Sequence, residues 1–170
     1  MATLANDARP ARVTDVGWLD QLIAAGAVLM LIATITALLR GQARWDELGL
    51  NVWAHLATIL IALVLTPVML LRRRGDRLHR GLGYIWVIAM GLTAAISFDI
   101  RLIMVDGRMS PIHVLSAGTL IAMPRIVYTA RKHDHRSHRR VVRLVAGSAL
   151  LIAGFFTFPF NRLLGHWLFG

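Results

Sequence analysis

Apolar residues in this chain come in runs too long for an ordinary core helix, and most charged residues fall in the gaps between them. A helix that crosses a bilayer needs about 20 mostly apolar residues. Five stretches approach or exceed that length: Leu22–Leu39, Leu50–Leu71, Gly81–Val105, Ile112–Tyr128 and Val141–Leu164. In lipid such runs must be helical, because an open strand would leave backbone N–H and C=O groups unpaired. They also lack the alternation of a porin strand. The links are short, so consecutive spans are expected to be antiparallel neighbours. The pattern predicts an all-α fold: one transmembrane domain of five helices over residues 1–170.

Composition agrees. Of the 170 residues, 56% are hydrophobic and 16% charged, against roughly a quarter charged in soluble domains. A net charge of +10 raises nucleic acid as a partner. The basic residues sit in loops between apolar runs, so topology accounts for them and no nucleic acid is expected. The absence of cysteine excludes thiolate-held clusters, disulfides and covalent c-type haem. The opening MATLANDARPARVTDVGWLD is polar and carries both charge signs. It lacks the apolar stretch and cleavage site of a secretory signal, so the first run is expected to remain as a span.

Basic residues fix the orientation, because they accumulate on the cytoplasmic side. Arg9 and Arg12 precede span one. Arg72, Arg73, Arg74, Arg77 and Arg80 lie between spans two and three, and Arg131, Lys132, Arg136, Arg139, Arg140 and Arg143 follow span four. The other side holds only Arg40, Arg44, Arg101, Arg108 and Arg162. The N-terminus is therefore expected inside and the C-terminus outside, with the basic loops facing anionic lipid.

Four histidines stand at span entrances. His55 and His113 follow the starts of spans two and four, which run inward. His79 and His138 precede spans three and five, which run outward. At 1.5 Å per residue, His55 lies about 24 Å from Leu71 and His113 about 27 Å from Arg131, so their depths match. The chain thus offers one histidine pair near each membrane face. Two imidazoles from different helices are what a b-type haem needs, and small residues must line the slot for the ring. Gly81 and Gly83, Ala54 and Ala57, Ala117 and Gly118, and Ala146 and Gly147 lie near these histidines. Up to two haems would offer electrons a route across the bilayer. Taken singly, each histidine is equally an interfacial residue that bonds a carbonyl or headgroup, and small residues aid helix packing in any bundle. His133, His135 and His138 with Asp134 could instead hold zinc or copper, or simply be solvated.

Other polar positions are fewer. Arg125 follows Pro124 inside span four; it reads as an interfacial anchor, or as a partner for a haem propionate or quinone oxygen near the inner site. Asp99 is placed to meet another helix. Trp18, Trp45, Trp53, Trp86 and Trp167 fall near span ends, as an aromatic belt requires.

The motif HRGLGYIW at His79–Trp86 and the SHRRVVR at Ser137–Arg143 resemble a family of bacterial membrane proteins called domain of unknown function 2306. The resemblance covers roughly His55 to Arg143, with its core at His79–Gly83 and His138–Arg139. It implies a multi-pass protein of the bacterial inner membrane. The four-histidine layout is also similar to the two-haem cytochrome b-561 architecture, with five spans here against its usual six. That similarity implies His55, His113, His79 and His138 as haem iron ligands. The expected function is electron transfer through b-type haem, with quinone as exchange partner. The alternative is a non-catalytic accessory or scaffold subunit of a larger membrane complex. For it the Ala/Gly-rich opening of span one, around Gly26, would supply contacts to other subunits.

Overall fold

A computed structural model describes residues 16–100, 111–159 and 162–170, and among these every regular element is helical. Helix α1 (Trp18–Arg40) begins where the Asp20 carboxylate accepts the Gly17 N–H at 3.1 Å. It ends at Gly41, whose N–H returns to the Ala37 carbonyl. A 3₁₀ turn (Gln42–Glu47) leads to α2 (Leu50–Leu71). The reversal after α2 uses Gly75 at φ +85°, a left-handed conformation that glycine adopts without steric cost. Asp76 then caps α3 (Arg77–Ser97), accepting the His79 N–H at 2.6 Å.

Helix α4 (Pro111–Arg131) leads through a second tight reversal to α5 (His135–Val145). His133 takes the left-handed conformation there, φ +56°, at the position where glycine usually terminates a helix. Asp134 caps α5 by accepting the Ser137 N–H at 3.0 Å. The helical path continues through a π segment (Ala146–Ile152) into α6 (Ala153–Phe155), turns over Phe156–Phe158, and resumes as α7 (Leu163–Phe169).

Helices adjacent in sequence pack side by side from α1 to α5. The π segment closes the bundle by touching α1, α2 and α4, and α7 folds back onto α1. Small and medium residues fill the centre: Ala27, Ala62, Ala89, Ala146, Met90 and Leu150 are buried. Large apolar side chains point outward, among them Leu22, Leu29, Ile32, Ile88, Val114 and Ile121. Water would penalise so extensive an apolar surface, whereas lipid accommodates it.

Helices α1, α2 and α3 are each long and apolar enough to cross a membrane. The pattern located α2 to the residue and α1 and α4 to within four residues at either end. The third run was expected to reach Val105, but α3 ends at Ser97; residues 101–105 lie outside the described residues. The fifth run departs most from expectation. It is not one helix to Leu164, because the chain leaves the helix after Phe155 and turns ahead of Pro159. Pro159 lacks the N–H needed to continue a helical ladder.

The small opening of α1 also has a different use from the one expected. Ala24 and Ala27 are buried, and a Cβ on Gly26 would stand 2.9 Å from Leu151 Cδ1. That face is occupied by the chain's own π segment.

Candidate functional site

At one end of the bundle, His55 in the second turn of α2 sets its Nδ1 3.2 Å from the Thr93 carbonyl of α3. A carbonyl only accepts, so Nδ1 carries the hydrogen and a neutral ring keeps its lone pair on Nε2. At the other end, His138 makes the same arrangement: its Nδ1 lies 3.1 Å from the Ile126 carbonyl of α4. Metal-binding histidines are commonly oriented this way, by a carbonyl on the nitrogen remote from the metal. Burial pushes His138 below the ordinary histidine pKa, against the opposing pull of the Ile126 carbonyl. Its neutral form is thereby favoured.

His79 lies in the first turn of α3. Its Nδ1 is buried without a hydrogen-bond partner among the described residues. A buried polar nitrogen left this way is costly and calls for an explanation.

The outer pair is arranged differently. His55 lines a partly open cavity of about 140 Å³ between α1, α2, α3, α4 and the π segment, with α6 and α7 at its edge. His113 is buried but is not part of that wall; its ring packs at 5.6 Å, tilted, on Phe98. Depth along a helix sets a residue's height, whereas helical phase sets its direction, and only depth was matched.

The other expected participants are scattered. Gly83 is half-buried, and a Cβ there would stand 3.4 Å from Met69 Cε. Gly81, Ala57 and Gly118 lie on exposed faces, so they do not line a slot. Arg125 is exposed on α4, one residue before the carbonyl that holds His138. Asp99 accepts from Asn51 Nδ2 at 3.2 Å, meeting another helix as expected. Trp86 and Trp167 are buried and do not belong to a belt; Trp86 donates to Thr66 Oγ1 at 3.0 Å. Asp134 is engaged in capping α5, and among the described residues no group of three His, Asp or Glu is arranged for a metal ion. The zinc or copper alternative therefore finds no cluster.

Donor chemistry fits a bis-histidine ligand set, since His55 and His138 present Nε2 and His79 has an unsatisfied nitrogen. Space does not yet match. A cavity of about 140 Å³ is well below the roughly 300–1,000 Å³ of ordinary ligand sites. A macrocycle would require helices to move apart.

Two features lie beyond what the hydrophobic pattern marks. The π segment contributes Ala149 and Leu150 to the cavity wall, and π turns are frequent at functional sites. Asp20, wholly buried at the start of α1, receives Arg74 at 2.5 Å and Arg139 and Arg143 at 2.6 Å. Three guanidiniums, one from the turn after α2 and two from α5, are gathered on one carboxylate.

The architecture and these sites define an all-helical bundle, three of its helices fit to cross a membrane, with imidazoles anchored between helices. No protein family, curated protein or solved structure matches the chain.

Proposed function

We propose that the chain is a multi-pass protein of the bacterial inner membrane that binds haem b through paired histidines and exchanges electrons with quinone. It would span the bilayer five times, with the N-terminus cytoplasmic and the C-terminus outside. The observation that carries this reading is the repeated anchoring of an imidazole to a neighbouring helix's carbonyl, at His55 and at His138. Along α3, Thr93 and His79 mark these two levels about 21 Å apart at 1.5 Å per residue.

His79 and His138 are the better-supported ligand pair, because the buried Nδ1 of His79 has no partner among the described residues and His138 is held by a carbonyl. The carbonyl of Ile126 holds the His138 ring, and Asp76 fixes the turn from which His79 projects. Arg125 adds a cation beside that level for an acidic substituent, and Gly83 keeps the next turn of α3 free of bulk. Haem, if bound, would supply reversible one-electron chemistry, with His79 and His138 as the residues that would hold it. His55 and His113 would supply a second site if α2 and α4 part to admit the ring.

The test is a reduced-minus-oxidised spectrum of protein expressed with ample haem, with iron measured alongside. A Soret shift is expected, lost in His79→Ala and His138→Ala but kept in His133→Ala. Purified protein with neither a Soret band nor iron refutes the proposal.

A further inference from the structure

The cavity beside His55 has a size and chemistry of its own. Its volume of about 140 Å³ is close to the roughly 150 Å³ at which a dry, apolar protein cavity takes up a benzene ring. Its wall is mostly apolar, with Leu63, Met90 and Leu150 among the lining residues. A single six-membered ring matches that space.

The polar groups in the wall share one property: their hydrogens are already committed. Thr93 donates to Thr58 Oγ1, Thr119 to the Leu115 carbonyl and Ser97 to the Ala94 carbonyl, which makes Ser116 the donor in its 2.6 Å contact with Ser97 Oγ. Thr34 and Thr157 donate to the carbonyls of Met30 and Gly154. His55 uses its Nδ1 hydrogen on Thr93, which leaves Nε2 as an acceptor. The wall therefore offers lone pairs. A ligand whose oxygens only accept would find no donor, whereas a ring bearing hydroxyl groups would be satisfied.

We infer that this cavity binds the dihydroxy ring of a quinol in preference to the corresponding quinone, with His55 Nε2 accepting one ring hydroxyl. The inference rests on the electron-carrier reading for the role of the ligand, and it gives His55 Nε2 to the quinol in place of a second haem. The binding itself is measurable in haem-free protein, so the two can fail separately.

The probes are hydroquinone and benzoquinone, titrated anaerobically against the thermal unfolding of purified full-length protein. Hydroquinone should raise Tm saturably and bind at least about tenfold more tightly than benzoquinone, as expected for a hydrogen bond that only the quinol can make. His55→Leu should weaken hydroquinone roughly tenfold and abolish the preference, leaving the apolar cavity in place. Ala153→Leu, which adds bulk in the wall, should remove the response to both probes. If Ala153→Leu does not melt cooperatively, the His55→Leu comparison decides alone. Equal affinity for quinol and quinone, no saturable response to either, or an unchanged preference in His55→Leu overturns the inference. A missing Soret band bears on haem and leaves this result standing.

Discussion

Gly41 and Trp167 are in such close contact that a Cβ on residue 41 would lie inside the indole ring. The chain's last helix is seated on the end of α1 by this contact and by Arg40, which donates to the Leu168 carbonyl. Gly41→Ala must displace the indole, and overpacking of this kind costs about 1–3 kcal/mol. The expected result is a lower Tm in detergent together with increased quenching of Trp167 fluorescence.

Asp20 is the second sensitive point. Asp20→Ala leaves three guanidiniums without the carboxylate they share. Breaking a buried ion pair costs about 3–5 kcal/mol, and the partial exposure of these arginines argues for the lower end. Thermal unfolding of the variant should show the loss, with Asp20→Asn intermediate because it keeps an acceptor for one guanidinium.

Acid should weaken the turn before α3. The His79 N–H, followed by Arg72, holds the Asp76 carboxyl below the usual carboxylate value. A depressed folded pKa means that the charged form stabilises the fold above the unfolded pKa, about 4. That contribution is lost as pH falls through the folded pKa. Wild-type Tm should therefore drop below about pH 4, and Asp76→Asn should reduce that dependence. Equal pH profiles for the two proteins would count against the assignment.

His133 can be improved upon. Its left-handed backbone costs a residue with a Cβ roughly 1 kcal/mol, which glycine avoids. His133→Gly should raise Tm by a few degrees without altering any haem spectrum, provided the gain is not offset by the freer unfolded chain.

Much of the fold could be read from the chain because apolar run length is a one-dimensional property. Gly49 and Arg72 bracket α2, and the helix fills the interval between them. Depth is similarly one-dimensional, and His55 and His138 lie at opposite ends of the bundle as their positions predict. Direction around a helix is less accessible: His113 has the expected depth but faces Phe98, and Trp86 turns to Thr66 where a belt residue would face the interface. The π segment depends on how Ala146 and Leu150 pack against three other helices. Asp20 offered no local clue, since its meaning comes from arginines supplied by the turn after α2 and by α5.

That last arrangement has a consequence for biosynthesis. The groups that neutralise Asp20 lie 54, 119 and 123 residues further along the chain. Arg74 becomes available with the turn after α2, whereas Arg139 and Arg143 come only with α5, so the carboxylate of α1 acquires its full set of counterions only after α5 has been made.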